Sequence, residues 1–324
     1  MVYDCFPFFD ELDLLEIRLN VLSPVVDKFV LVEADRTFSN KKKPLYFEEN
    51  KQRYEPFLEK IIHVKINDYP FKYNSAWDND AYQRNKIDEG LRNCEKDDIV
   101  IISDIDEIPN PDEVIKYKNG VYGKGLFSLR QVLFYYFLNY QKAVEKYWCF
   151  ARIMSYQTYF DRKYTPNGVR FPSHATDRQT DRDGIIKNGG WHFSYLGGYE
   201  AIKYKIQSFA HQEFNNEKFI NEKIIEKVAN GYDLFDRKGW RFIPVKIKSP
   251  DFPQYIVDNQ IKYADFIYPK INYLHNAAVY ISLGMYFAVM EYNPAQLVKI
   301  LIKKMLGADK YKILKQRIRE ILRL

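Results

Sequence analysis

"DDIVIISDIDEIPNP", residues 97–111, sets four apolar positions, Ile99–Ile102, just ahead of three crowded acids, Asp104, Asp106 and Glu107. A short apolar run of this kind reads as a strand buried on both faces. Like charges so close raise one another's pKa, so a compensating cation is expected at the strand's tip. What surrounds the stretch has to say which cation.

Working outward toward the N-terminus, "VYDCFPFF", "DKFVLVEA" and "KIIHVKI" read as strands. "DELDLLEIRLNVL", with Asp10 as its expected N-cap, and "NDAYQRNKIDEGLRNC" read as helices between them. Strands alternating with helices predict an α/β fold with a parallel sheet covered on both faces. In such sheets ligands bind beyond the carboxyl ends of the strands. Glu33, Arg36, Asp104 and Asp106 fall there. From about residue 120 the long aromatic runs "GLFSLRQVLFYYFLNY" and "KYWCFARIMSYQTYF" lack intervening helices and predict antiparallel strands. "GGWHFSYLGGYEAIKYKIQSFAHQEF" reads as strand, glycine turn, helix and short exit, and "NEKFINEKIIEKVANG" as a helix closed by Gly231.

The 324 residues, 46% hydrophobic and 28% charged, are ordinary for a globular protein. The 27 Tyr and 23 Phe predict an aromatic-rich core, with some rings left as platforms for a sugar or base. Three scattered cysteines form no CxxC pair, the start has no signal-peptide pattern, and no apolar run reaches the ~18 residues that cross a bilayer. A cytoplasmic location is expected. Of the net charge of +6, residues 299–324 carry +7, leaving the body near neutral and without an argument for nucleic acid.

Asp104 and Asp106 could share one hard cation, since Mg²⁺ and Mn²⁺ take a few carboxylates plus substrate phosphates. The plainer reading is a solvated acidic turn capping the next helix. His192 lies mid-strand, as either a core histidine or a site residue. Gly197-Gly198 let backbone approach a ligand, and Glu200 follows in the first helical turn, as a dipole partner or a general base. His211 is a candidate third metal ligand, and Arg84 could face a diphosphate or form a surface ion pair. Glu107 is read as either a support to the metal or an acceptor contact.

Together, "FFDELDLLEIRLNVL", "VDKFVLVEADRTFSNKKKPLYFEEN", "DDIVIISDIDEIP" and "GGWHFSYLGGYEAIKYKI" resemble glycosyltransferase family 17. The resemblance implies a GT-A type, Rossmann-like fold: one large domain with a mixed sheet and C-terminal helices. It divides into a nucleotide-sugar-binding half (1–118), an acceptor-side half (119–260) and a helical region (261–324). It also implies an inverting, metal-dependent transfer to a glycan or glycolipid acceptor. The donor is a UDP-sugar, UDP-N-acetylglucosamine in the characterised member. Asp104 and Asp106 become the Mn²⁺ or Mg²⁺ and diphosphate site, with Glu33, Arg36, Arg84 and Trp191 toward the donor. His192 matches a family block, and Glu200 is the expected base, with Asp181 and Asp183 as rivals.

No N-terminal anchor of the vertebrate kind is read here, so a surface glycan built on the cytoplasmic side is expected. The basic tail, with Tyr311, Leu314, Ile318 and Ile321 on one face, predicts peripheral membrane contact, a helix docked on the body or a dimer contact. Two rivals stand beside this reading. A haloacid-dehalogenase-type phosphatase also uses D-x-D after a strand, but usually on its first strand. A carbohydrate-binding protein on the same fold would lack turnover.

Overall fold

The computed structural model describes residues 1–67, 69–70, 75–171 and 182–291. Its centre is an eleven-stranded mixed sheet. Strands β1 (Val2–Phe8), β2 (Lys28–Ala34), β3 (Ile61–Ile66) and β4 (Ile99–Ile102) form the parallel half, in the order β3-β2-β1-β4. β1 and β4 are buried along their whole length, which is why β4 reads as a continuous apolar run and β1 does so but for Asp4.

The remaining strands are β5 (Glu107–Pro109), β6 (Phe127–Tyr135), β7 (Tyr140–Lys142), β8 (Tyr147–Trp148), β9 (Arg152–Ser155), β10 (Gly184–Ser194) and β11 (Phe242–Pro244). β9 joins the halves, running antiparallel to both β4 and β6. β10 lies parallel to β6 and antiparallel to β5. The expected mixed α/β sheet is therefore present, with the antiparallel pairing predicted beyond residue 120.

Helices α1 (Leu12–Leu22), α2 (Ala76–Asn85) and α3 (Gly198–Ser208) position site residues, and α4 (Tyr273–Glu291) packs at the sheet edge. Asp10 is not the cap of α1. Glu11 holds that position, and its carboxylate accepts from the Phe9 and Asp10 amides instead. Gly231 closes Lys223–Asn230 at φ 67°, the left-handed conformation expected of it.

Arg18, fully buried on α1, ties the sheet to the acidic turn. It forms a bidentate pair with Asp4 of β1, at 2.6 and 2.8 Å. Its remaining Nη1 hydrogens reach the carbonyls of Asp104, Ile105 and Glu107. The backbone of the turn is thus fixed by one side chain from a helix some 90 residues upstream.

Candidate functional site

A cavity of about 850 Å³ opens beyond the carboxyl ends of β1, β2 and β4, where the topology predicts a ligand. Asp104, Asp106, Arg84, Arg170, His192 and Lys205 line it together. The carboxylate crowd is met by the protein's own cations. Arg84 of α2 and Arg170 of the short helix Pro166–Arg170 each take one oxygen of Asp104. Glu107 is wholly buried and accepts from Arg170, from Trp148 Nε1 at 2.6 Å and from the Asp104 amide at 2.9 Å. It therefore supports the site from behind and does not line the cavity.

Asp106 has different neighbours. One oxygen lies 3.3 Å from His192 Nε2 and the other accepts from Lys205 Nζ at 3.1 Å. Burial works to raise its pKa, but Lys205 first and His192 next outweigh it and hold the carboxyl well below the usual range. Lys205, despite burial, is pushed well above its ordinary value by Asp106 and by Glu11, 3.3 Å away. For Asp104, burial is outweighed by Arg170 and then Arg84, so it too is depressed.

Backbone geometry puts His192 there. Period-two alternation along β10 sends His192 to the cavity and its neighbours Trp191 and Phe193 to the core. Gly190, at φ +128°, lets β10 lie against β5: a Cβ there would stand 2.1 Å from the Ile108 carbonyl oxygen. Gly197 and Gly198, at φ +99° and +76°, then reverse the chain into α3, which carries Lys205 back to Asp106.

Several expected site residues stand elsewhere. Glu33 is fully buried and binds the Phe47 and Glu48 amides and His63, so it caps the helix Tyr46–Asn50 and cannot reach a donor. Trp191 points away from the cavity, its Nε1 donating to the Asp251 carbonyl at 2.7 Å. Glu200 is 81% exposed beside Lys203 and does not line the cavity. It stands five positions before Lys205, which turns it to another flank of α3. Asp183 is held by Arg162 and the Leu126 amide, and Asp181 lies outside the described residues.

His211 does line the cavity, but it pairs with Glu213 at 2.6 Å and packs edge-on to Trp77. Among the described residues, no group of three His, Cys, Asp or Glu gathers around a common point, so His211 does not complete a set with Asp104 and Asp106. Arg36 and Arg84 both line the cavity. Lys205, Arg170 and Arg18 escaped sequence reasoning. Their partners lie 99, 66 and 14 or more residues away, and no local pattern marks them.

A divalent cation fits part of this arrangement. Both acids are engaged by the protein's own cations, Asp104 by two arginines and Asp106 by Lys205 and His192, and of the two it is Asp106 that stands with an imidazole on one side of the cavity. His192 presents Nε2 to Asp106 and keeps Nδ1 buried without a hydrogen-bond partner among the described residues, so a cation at Nε2 would take the place of the Asp106 contact. One carboxylate and one imidazole are a sufficient protein share for Mn²⁺ or Mg²⁺ when substrate phosphates supply the rest.

Comparison with known proteins gives concordant names. The beta-1,4-mannosyl-glycoprotein 4-beta-N-acetylglucosaminyltransferases of Homo sapiens and Rattus norvegicus are each 33% identical over 136 residues, which is 39% of this chain. The match spans about a quarter of those relatives' own length, 26% and 25%. Among solved structures, a mannosyltransferase from Pyrobaculum calidifontis in complex with GDP-Man and Mn²⁺ is similar at 13% identity and TM-score 0.39, over 91% of this chain and 82% of that one. Glucosyl-3-phosphoglycerate synthase from Mycobacterium tuberculosis, in complex with Mn²⁺, UDP and phosphoglyceric acid, matches 42% of this chain and 43% of its own at 16% identity and TM-score 0.25. Likenesses at that level carry no assignment. The family model for glycosyltransferase family 17 matches residues 1–269, and the chain belongs to that family.

Proposed function

We propose that this chain transfers a sugar from a nucleotide-sugar donor to a hydroxyl of a glycan acceptor. The observation that carries the reading is the cavity at the strand ends, where Asp106 and His192 stand among Lys205, Arg84 and Arg170. The names of the relatives support N-acetylglucosamine as the sugar, and UDP is the carrier that the family resemblance implies.

Asp106 and His192 would hold a divalent cation, which when bound supplies charge neutralisation at the leaving diphosphate. Lys205 lies against Asp106 and donates toward phosphate oxygens entering from the cavity side. Arg84 and Arg170 keep Asp104 ionised and its oxygens directed, so the wall stays fixed as negative charge arrives. Attack by the acceptor hydroxyl opposite the departing diphosphate would invert the anomeric centre. Glu11, Asp80, Asp104 and Asp106, the acids of the described cavity wall, are all engaged by cations, so none is an uncommitted base.

Release of UDP from UDP-N-acetylglucosamine, with and without acceptor sugars, tests the reading. Turnover that falls at least ~100-fold in Asp106→Ala is expected, the scale for losing charge stabilisation at a transition state. Undiminished turnover in a folded Asp106→Ala protein would refute the site.

A further inference from the structure

Helix α4 rests on the sheet edge by one face only. Val279 and Leu283 pack with Ile243 and Ala143, and Asn276 donates to the Pro244 carbonyl at 3.0 Å. The opposite flank is apolar and uncovered: Leu274, Ile281 and Met285 are 84%, 64% and 60% exposed. They recur at steps of seven and four, so they form one stripe along the helix. Between Tyr273 and Met290 there is no Asp, Glu, Lys or Arg at all. A helix face so oily and so free of charge marks an interaction surface.

The sequence beyond it says what kind. Residues 299–324 hold nine Lys or Arg against Asp309 and Glu320. An apolar stripe followed in the sequence by a surplus of about seven positive charges complements a surface that is anionic outside and apolar beneath. A second copy of the chain would bring the same positive surplus against its own, which disfavours self-association there. Among the described residues no helix is long and apolar enough to cross a membrane, and an apolar stripe along one flank suits a helix lying in the plane.

We propose that the outer face of α4 seats in the headgroup region of an anionic lipid bilayer. Leu274, Ile281 and Met285 enter the acyl boundary, and Tyr273 and Tyr280, 73% and 46% exposed, stand at the interface. The placement also concerns the cavity. Phe287 of α4 lies over Gly239, two residues from Arg237 in the cavity wall, so a bilayer under α4 is close to the site.

The test is co-sedimentation of the full chain with vesicles of phosphatidylcholine, alone or with one third phosphatidylglycerol. Binding to the mixed vesicles is expected, at least ~10-fold weaker on phosphatidylcholine alone and weakened likewise by high salt. The triple variant Leu274→Gln, Ile281→Gln, Met285→Gln should lose at least ~10-fold in binding with an unchanged melting profile, because all three side chains are exposed. No binding to either vesicle, or full binding by the triple variant, overturns the proposal. So does light scattering that shows a wild-type dimer dissolved by the same substitutions.

Discussion

At the scale of single residues, the two acids of the strand-end motif have separate duties. Asp104 is pinned between Arg84 and Arg170, while Asp106 faces His192 and Lys205. His192→Ala should therefore weaken metal-dependent donor binding by at least ~10-fold, read by calorimetry, because half of the protein's share of the cation is gone. Glu200→Gln should leave turnover within about twofold, as expected of an exposed position away from the cavity. A large loss in a folded variant would restore it as a base. The position of Asp104 and Asp106 was legible, since an apolar run ending in acids needs only the local pattern. Glu33 misled for a stated reason. Its place at a strand end was read correctly, but its side chain satisfies the orphan amides of a neighbouring helix.

At the scale of elements, the site depends on how α1 and β10 are held. Arg18 binds Asp4 and three carbonyls of the acidic turn, all out of water. Removing it leaves Asp4 buried and unpaired, so Arg18→Ala should cost about 3–5 kcal/mol in denaturant titration. Gly190→Ala should destabilise by about 2 kcal/mol or more, since its Cβ meets the Ile108 carbonyl and its backbone lies at φ +128°. Displaced β10 would carry His192 from Asp106, so donor binding should weaken in the same variant. The order of strands and helices was readable from periodicity up to Asp106. The pairing of β10 with both β5 and β6 was not, because register between strands far apart in sequence is decided by packing. Lys205 came to the cavity only through that pairing and the glycine turn behind it.

At the scale of the whole molecule, the cavity's charge sets a pH dependence. Asp10 lies between Phe9 and Glu11, both in the cavity wall, and burial first, then Glu11, push its pKa up to about 7. A folded pKa above the unfolded one means the protonated carboxyl is the favoured native form. Its contribution is whole below about pH 4 and is lost as pH rises through about 7. Asp10→Asn should thus be more stable than wild type at pH 8, by up to about 4 kcal/mol, and indistinguishable near pH 4. Equal melting curves at both pH values would contradict the assignment. The carboxylates at Asp104 and Asp106 carry the opposite sign. Their depressed values stabilise the fold at neutral pH, and that support is lost only in acid.

The central claim is that this cavity binds a nucleotide sugar with a cation held by Asp106 and His192. Calorimetric titration of UDP-N-acetylglucosamine into the wild-type chain, with Mn²⁺ and then with chelator, tests it most directly. Asp106→Ala serves as the control. Binding with Mn²⁺ that weakens at least ~10-fold in chelator and is lost in Asp106→Ala is the predicted result. Binding indifferent to both chelator and Asp106→Ala, or no binding under either condition, would contradict it.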